Sequence, residues 1–503
     1  MTIHLRQVLQ DCWSELNKDG KRKIVMSSVK KNFGWNLLLT VSGYIFPILT
    51  FPYVTRVLGA EKLGIANFAM SFVDYIILFS TLGLGYIGCR EISQNTGSRE
   101  KLDEVFSKLV TLHLCLSLTI LLIYLPCIFL IPEFATHRQL YFVGIVKILT
   151  NILLVEWLFN GLQKFKFITT RSLIVKLLYV CGIFVFVRKP DDYDAYFYLA
   201  VAQVTLNGVV NWYYSRRYVT FSFRLRSCGT YFLPVLSMGV NLLLFSFYGT
   251  FNVLYLGMAT NAEAVGYYTT SVKLYSILLA VISAFNGVLV PYLNNLYGKG
   301  DLVGFKQVVE KTFPIVFITA MPIMVIGIVF AREIIFLIAG DGFERAVYPF
   351  QIILIQVLLV GIAQILENQI LLAFKKYREI LITTILSVSL AVIIIILFVP
   401  NYAEVASAYS VAIPHVLEAF LLYYFAKKCL DFDFSFGTLA KVTISCVPMT
   451  VLCICCRYLI SDGTIALLTG GILSIIYYLL IQYYIIKNEY IMSVIGRILD
   501  RID

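Results

Sequence analysis

Long apolar runs without a charged residue are the feature that most constrains this chain. Asp, Glu, Lys and Arg are absent from residues 32–55, 109–131, 312–331, 380–403 and 463–486. A transmembrane helix needs about 20 apolar residues, so each run is long enough to cross a bilayer unaided. A transmembrane β-barrel would instead have weak, alternating segments of about ten residues. These runs predict an all-α polytopic membrane protein, and with only 14% charged residues the chain does not resemble a soluble enzyme.

The hydropathy pattern over the whole chain predicts fourteen transmembrane helices. They lie near residues 34–56, 63–88, 109–131, 139–161, 170–187, 195–215, 231–258, 265–292, 312–331, 347–374, 380–400, 404–426, 440–460 and 464–486. Because this number is even, both termini are expected on the same side of the membrane.

Basic residues predict which side that is. Only eight of the 41 Lys and Arg residues fall in loops on the side opposite to the termini. Short loops rich in Lys and Arg stay in the cytoplasm, so both termini are expected there. The net charge of +11 is then explained by topology and by attraction to anionic membrane lipids. No nucleic-acid partner is expected.

The first 33 residues are polar and basic, and they contain no apolar core of the kind found in a cleavable signal peptide. The apolar residues between Leu5 and Leu16 fall on one helical stripe, which is typical of a helix lying along the membrane surface. A flexible cytoplasmic tail is the alternative, and the sequence leaves both open.

The chemistry-bearing motifs of enzymes and pumps are missing. The chain has no G-x-x-x-x-G-K-[ST] phosphate-binding loop, and its four histidines are scattered. Asp431 and Asp433 form a D-x-D pattern in a short loop, where a solvated acidic pair balancing Lys427 and Lys428 is the simpler interpretation. Most of the eleven cysteines lie in apolar spans and are interpreted as small packing residues. We therefore expect no enzyme, no metal site and no cofactor.

Two parts of the chain resemble each other. The pattern G-x-N-L-L-L occurs at residues 34–39 and again at 239–244, and glycines open the second and eighth spans. Two glutamates each lie eight residues before a lysine, at a shift of 211 positions. These glycines and glutamates are Gly64, Gly266, Glu156 and Glu367. Six-helix halves that enter the membrane in the same direction are typical of the parallel repeats of transporters, whose binding site lies between the halves.

This repeat predicts five segments along the chain. They are a cytoplasmic N-terminal segment (1–33), an N-lobe of helices 1–6 (34–217), a cytoplasmic linker (218–230), a C-lobe of helices 7–12 (231–430), and helices 13–14 with a cytoplasmic tail (431–503).

Charged and titratable side chains within predicted spans are candidates for a substrate or ion cavity. Such a charge costs roughly 2.5–3.5 kcal/mol on insertion scales, and it usually faces the bundle interior or water. The candidates are Asp74, Lys147, Glu156, Lys273, Glu367, His415 and Glu418.

Sequence spacing suggests how some of these residues are related. Asp74 and Lys273 fall on equivalent faces of the two lobes and are expected either to meet across the cavity or, for Lys273, to extend toward the outer surface. Glu418 shares a helix face with His415, as a proton-linked pair or as a contact between helices. Lys147 and Glu156 lie nine positions apart and point to opposite sides, so they cannot pair.

Three stretches then resemble a known family. FPYVTRVLG at residues 51–59, EWLFNG at 156–161 and VGYY at 265–268 resemble the Wzx-type polysaccharide flippases. These belong to the superfamily that also contains the multidrug and toxin extrusion (MATE) transporters and the MurJ lipid II flippases. The resemblance extends from about residue 30 to residue 487.

The resemblance implies a carrier in the bacterial inner membrane that moves polysaccharide repeat units linked to undecaprenyl pyrophosphate from the cytoplasmic to the periplasmic leaflet. It implies alternating access, driven by H⁺, Na⁺ or the membrane potential, with a polysaccharide polymerase and a chain-length regulator as partners. By helix position it points to Lys273, and to Lys147 or Lys176, for binding the anionic head group. A MATE-type multidrug or cation antiporter is the alternative.

Overall fold

The computed structural model describes residues 20–484, together with residues 486 and 492. The predicted stripe between Leu5 and Leu16 lies outside the described residues. Every regular element in the described part of the chain is a helix. Eleven helical segments there are long and apolar enough to cross a membrane, which confirms an all-helical multi-pass membrane protein. Two of these segments, residues 34–81 and 377–429, each contain two predicted spans, and the predicted span 195–215 is not among the eleven.

The described residues form two compact units. The first contains residues 24–269 and 395–403. Its helices are α1 (Gly20–Thr81), α2 (Leu84–Gln94), α3 (Arg99–Leu130), α4 (Arg138–Asn151), α5 (Glu156–Gly161), α6 (Phe165–Phe186), α7 (Tyr193–Ser215), α8 (Leu225–Cys228), α9 (Phe232–Ser246) and α10 (Thr250–Ala259). Part of its core is an aromatic cluster in which Phe106 of α3 packs against Trp157 and Trp212.

Helix α1 is interrupted at Gly59, where φ is 71° and ψ is 174°. A side chain would be strained in this conformation, whereas glycine has no Cβ and adopts it readily. Pro47 and Pro52 precede the break within the same helix. The segment from Gly34 to Thr81 would extend about 72 Å at 1.5 Å per residue, more than twice the roughly 30 Å hydrocarbon thickness.

The fourth predicted span is also interrupted. After α4 the chain forms a short 3₁₀-helix over Ile152–Leu154, and Val155 then adopts a left-handed conformation with φ of 31° before α5 begins. A β-branched residue in this region is strained, so the surrounding contacts have to hold it there. One of these contacts comes from Asn211 of α7, whose side-chain amide donates to the Leu154 carbonyl oxygen. The break places Glu156 in the first turn of α5.

Two helices of the first unit approach each other backbone to backbone. Gly64 of α1 faces the first turn of α11 (Ala262–Gly298), where a Cβ on Gly64 would overlap the Ala262 carbonyl. A Cβ on Gly266 would overlap the Ala60 carbonyl. Asn67 donates to the Thr269 hydroxyl at 2.8 Å, one turn further along. Small residues permit this close packing of membrane helices.

The second unit contains residues 270–394 and 404–484. It holds the rest of α11 and the helices α12 (Leu302–Val329), α13 (Ala331–Ala339), α14 (Val347–Leu354), α15 (Gln356–Gln364), the π-helix (Ile365–Leu371), α16 (Tyr377–Cys429), α17 (Phe436–Leu459) and α18 (Gly463–Tyr484). Helix α16 is interrupted at Ala403, with φ of 45°. Residues 395–403 belong to the first unit. Helices α17 and α18 pack on α12, where Met321, Val442, Met449 and Tyr478 are buried together.

Two connections between helices have nearly the same backbone dihedral angles. Gln163 follows α5 with φ of 54°, and Lys375 follows the π-helix with φ of 57°. The next residues are Lys164, with φ and ψ of −86° and 46°, and Lys376, with −84° and 54°. A long helix begins immediately after each lysine. In each connection the left-handed residue caps the preceding helix. This conformation lets backbone N–H groups bond to the carbonyl groups at the end of the helix.

Candidate functional site

Asp74 and Lys147 form an ion pair in the first unit. The Lys147 Nζ lies 2.6 Å from Asp74 Oδ1 and joins α4 to α1. The lysine side chain is only 9% exposed, whereas the aspartate side chain is 50% exposed. The pairing neutralises Asp74 within its own unit, so Lys273 is not needed as its partner.

Glu156 pairs with a residue that the spacing argument did not consider. Arg171 of α6 donates from Nη2 to Glu156 Oε1 at 2.6 Å, and its Nη1 donates to the Asn207 carbonyl oxygen of α7 at 3.3 Å. The prediction that Lys147 and Glu156 bind different partners agrees with this geometry. Arg171 lies six positions inside α6 and is buried. One signal was available in the sequence. Glu156 lies within a predicted span and has no lysine on the same helix face, so its cation has to come from another helix.

Lys176 extends the cationic side of this site. It lies five residues after Arg171 on the same helix, and its Nζ donates to the Ser42 hydroxyl of α1 at 2.9 Å. It is also within electrostatic reach of the Glu156 carboxylate. Helix α6 therefore carries two cations, Arg171 paired with Glu156 and Lys176 bonded to Ser42, and both are separate from the Asp74 and Lys147 pair.

Glu367, His415 and Glu418 gather in the second unit. On α16 the His415 Nε2 lies 3.7 Å from Glu418 Oε2. Glu367 lies on the π-helix, close enough to Glu418 for the two carboxylates to repel each other. Isolated π-turns within membrane helices are often found at functional sites, because they reorient the side chains that follow.

The protonation of His415 is constrained by its other nitrogen. Nδ1 lies 2.6 Å from the Val411 carbonyl oxygen, which can only accept, so Nδ1 carries a proton. The Nε2 lone pair of a neutral imidazole would then face the Glu418 carboxylate. An attractive contact requires one further proton, held either by the imidazole or by the carboxyl group.

Lys273 lies on α11 in the second unit and is partly buried. Its ammonium group has no hydrogen-bond or ion-pair partner among the residues that the structure describes. An uncompensated cation within a spanning helix is expensive, which distinguishes Lys273 from the paired Lys147.

A network of side-chain amides braces the π-helix. Asn286 of α11 donates to Gln364 Oε1 at 3.0 Å, Gln364 donates to Ser283 at 2.9 Å, and Gln369 donates to Asn286 Oδ1 at 3.1 Å. Gln369 is fully buried and Asn286 nearly so. Gln364 therefore belongs to a packed network between α11 and the π-helix.

Sequence reasoning also missed a buried carboxylate. Glu404 follows the break at Ala403 and is 2% exposed, and it accepts from Arg345 Nε at 3.0 Å. Glu404 directly follows an apolar run that ends at residue 403. Its bond to Arg345, in the segment before α14, was therefore not predicted.

The D-x-D loop lines a shallow cavity of about 400 Å³ in the second unit. Asp431 binds Lys427 at 2.6 Å, and Glu310 of α12 accepts from the Asp433 backbone at 2.8 Å. This agrees with the interpretation of Asp431 and Asp433 as a charge-balanced pair. Within the described part of the chain no cluster of three His, Cys, Asp or Glu residues is arranged to hold a metal ion.

The fold is similar to that of solved membrane transport proteins. Lipid II flippase MurJ in its inward closed conformation superposes with a TM-score of 0.72 at 12% identity, covering 93% of this chain and 99% of that one. A mutant of the Vibrio cholerae MATE transporter VcmN gives a TM-score of 0.52 at 15% identity, covering 80% and 97%. At these identities the likeness shows the fold alone, which is MurJ- and MATE-like.

Sequence comparison identifies the family. The model described as "Polysaccharide biosynthesis protein" matches residues 29–297, and the "Lipid II flippase MurJ" model matches residues 268–481. The first model covers more than half of the chain, so the chain belongs to the polysaccharide biosynthesis protein family.

Two curated relatives support this assignment. The "Putative O-antigen transporter" of Escherichia coli K12 is 21% identical over 411 residues, covering 80% of this chain and 97% of the relative. The protein of the same description from Shigella dysenteriae is 24% identical over 275 residues, covering 54% and 68%. Together these matches confirm the resemblance to the Wzx-type flippases.

Proposed function

We propose that this protein is a lipid-linked oligosaccharide flippase. It moves polysaccharide repeat units attached to undecaprenyl pyrophosphate from the cytoplasmic to the periplasmic leaflet of a bacterial inner membrane by alternating access. The observation that carries the proposal is the family match over residues 29–297, which continues into the lipid II flippase match over residues 268–481. The O-antigen transporter relatives support the same substrate class.

The proposed topology has fourteen helices, with both termini in the cytoplasm. Two considerations support this number. The segments 34–81 and 377–429 are interrupted at Gly59 and Ala403 and are each long enough for two crossings. Helix α7 has 23 residues, the length of a crossing.

The matched connections at Gln163 and Lys375 support the two-lobe repeat. In each, a left-handed residue is followed by a lysine with nearly the same φ and ψ, and then by a long helix. The two connections are 212 positions apart, close to the shift of 211 seen in the sequence. The lobes we propose remain residues 34–217 and 231–430.

Lys273 is the residue we assign to the pyrophosphate group. Its unpaired ammonium provides a positive charge that would pair with one of the two negative charges of the diphosphate. Moving one elementary charge across the membrane potential is worth about 2.3 kcal/mol per 100 mV, so an anion leaving a negative interior moves downhill.

A proton is the coupling ion that the second unit favours over Na⁺. An attractive contact between His415 and Glu418 requires one extra proton, and Glu367 adds a second carboxylate nearby. Loss of that proton would leave charges of the same sign close together, which gives the helices that carry them two distinct charge states. The polymerase and chain-length regulator that use the translocated repeat units are the partners we expect in the membrane.

The test is translocation of fluorescent undecaprenyl-pyrophosphate oligosaccharide in proteoliposomes, measured by access of an external quencher. We expect transport by the native protein and at least a tenfold loss in Lys273→Ala, with partial recovery in Lys273→Arg. A MATE-type antiporter, which the fold also permits, would instead move cationic dyes under a pH gradient. Dye transport without movement of the lipid-linked sugar would overturn the proposal.

A further inference from the structure

Residues 219–224, which we call the linker segment, run along one face of α3 in the first unit. Three side chains of α3, spaced four residues apart, accept hydrogen bonds from every second backbone N–H group of this segment. The pairs are Asp103 with Thr220 at 2.7 Å, Ser107 with Ser222 at 3.0 Å, and Thr111 with Arg224 at 3.2 Å. The linker segment is therefore attached to α3 at three points.

The spacing of these bonds determines how the linker segment and α3 are aligned. Four residues of a helix rise about 6 Å, and two residues of an extended chain rise about 6.6 Å, so the bonds stay in step. After Arg224 the chain enters α8, where the Cys228 N–H bonds to the Arg224 carbonyl oxygen at 3.0 Å. Cys228 thus lies one helical turn beyond Arg224, and Cys115 lies one helical turn beyond Thr111. The alignment places the two cysteines at the same level.

The side chains of Cys115 and Cys228 are in contact. They form a hydrogen bond with each other, and both are free thiols. The Cys228 thiol donates its proton to the Leu225 carbonyl oxygen at 3.1 Å, so the Cys115 thiol is the donor between the two sulfur atoms. Cys228 is 6% exposed, whereas Cys115 is partly exposed. A small oxidant therefore reaches Cys115 first.

We propose that Cys115 and Cys228 form a redox-sensitive site, at which hydrogen peroxide produces a disulfide that fixes the linker segment on α3 and slows transport. The Cys115 thiolate attacks one peroxide oxygen and breaks the O–O bond, which gives a sulfenic acid and one water. The Cys228 thiol then attacks the sulfenic sulfur, forms the S–S bond and releases a second water. Two thiols lose two electrons and two protons, and one peroxide is reduced to two waters.

The location of the pair gives the disulfide its effect. The proposed topology has the linker segment in the cytoplasm, where thiols are ordinarily reduced, so the dithiol is the resting form. The hydrogen bonds to α3 can open and reform during transport, whereas a disulfide stays closed until it is reduced. Because the linker segment leads into the proposed C-lobe, fixing it restrains the movement of the lobes. The effect on transport rests on the proposed function, whereas disulfide formation itself does not.

The experiment treats the full-length protein in detergent micelles with hydrogen peroxide, blocks the remaining thiols with N-ethylmaleimide and identifies linked tryptic peptides by mass spectrometry. The expected product joins the peptide 109–138 to the peptide 227–273 and disappears on reduction with dithiothreitol. Cys228 is the single cysteine of the second peptide, whereas the first contains Cys115 and Cys127. Cys115→Ser should lose at least nine tenths of the product. Cys127→Ser, the matched control on the same helix and peptide, should retain it.

Absence of the linked peptide from the native protein, or its persistence in Cys115→Ser, would overturn the site. Thr111→Val then tests the alignment, because it removes the bond to Arg224 and should slow disulfide formation at least threefold. Thr119→Val is its control, since that hydroxyl bonds within α3 to the Cys115 carbonyl oxygen at 2.9 Å. Its rate should equal that of the native protein. Equal slowing in both variants would overturn the role of the linker segment.

Transport measurements separate the inference from the proposed function. In proteoliposomes the oxidised native protein should move the lipid-linked sugar at least threefold more slowly than the reduced protein, and dithiothreitol should restore the rate. Cys115→Ser should keep its rate in peroxide. Unchanged transport by fully linked native protein would overturn the effect of the disulfide and leave the flippase. If the reduced native protein moves no lipid-linked sugar, the proposed function is overturned, and the linked peptide still decides the redox site.

Discussion

Gly64 and Gly266 hold two helices of the first unit in backbone contact. Each occupies a point where a Cβ would overlap a carbonyl oxygen of the opposite helix. In a lipid environment apolar burial does not drive helices together, so this close approach and the adjacent Asn67 to Thr269 hydrogen bond stabilise the contact.

Gly64→Ala and Gly266→Ala should therefore each destabilise the protein. Overpacking against backbone, which cannot rotate away, is expected to cost about 1–3 kcal/mol or more and to lower the melting temperature in detergent. Gly287→Ala, in the same helix α11 and with open space around its Cβ, is the control. It should be neutral or slightly stabilising, and an equal loss there would contradict the close contact.

The pair of Asp74 and Lys147 predicts an asymmetry. Asp74→Asn leaves a buried ammonium without its counter-charge and should cost about 3 kcal/mol. Lys147→Met leaves a carboxylate that is half exposed, and should cost clearly less. Melting temperatures of the two variants and of the double variant test this. Equal losses in the single variants, or no recovery in the double variant, would speak against the buried ammonium as the origin of the effect.

The two left-handed connections can be improved. Gln163→Gly and Lys375→Gly should each stabilise the protein by roughly 1 kcal/mol, because both positions are exposed and a left-handed conformation strains any residue with a Cβ. The measurement is the melting temperature of each variant. Lys376→Gly, at an ordinary negative φ, should bring no gain, so a rise in all three would argue against the backbone as the cause.

His137 predicts a pH dependence outside the membrane. Burial, and then the charge of Lys62, lower its pKa below 6.5, although Asp194 and Glu61 oppose the shift. The ring contacts the Tyr193 hydroxyl at 2.9 Å. The folded state thus binds the proton more weakly than the unfolded state, so stability is complete above the unfolded pKa and is lost as the pH falls below it.

His137→Gln should remove part of this loss. Between pH 7.5 and 5 the melting temperature of the native protein should fall more than that of the variant, because glutamine does not titrate. Parallel curves for the two proteins would contradict the lowered pKa of His137.

The sequence predicted the membrane architecture because bilayer thickness fixes the length of an apolar run. Ion-pair partners were harder to predict from the sequence, because they depend on which helices are neighbours. Asp74 was matched to Lys273 by counting from aligned glycines, yet its partner in the structure is Lys147. Arg171 was overlooked because a basic residue near a predicted cytoplasmic loop is ordinarily solvated. Helix α13 falls between the predicted spans 312–331 and 347–374, because its nine residues are too few to cross a bilayer.

The π-helix at Ile365–Leu371 changes how the two halves should be aligned. Counting back seven residues from the left-handed Gln163 gives Glu156, whereas the same count from Lys375 gives Asn368 and not Glu367. A π-turn accommodates one additional residue, which accounts for the difference between shifts of 211 and 212. Glu367 therefore does not occupy the backbone position that Glu156 occupies. The neighbours of the two carboxylates differ accordingly, because Glu156 pairs with Arg171 whereas Glu367 lies near Glu418.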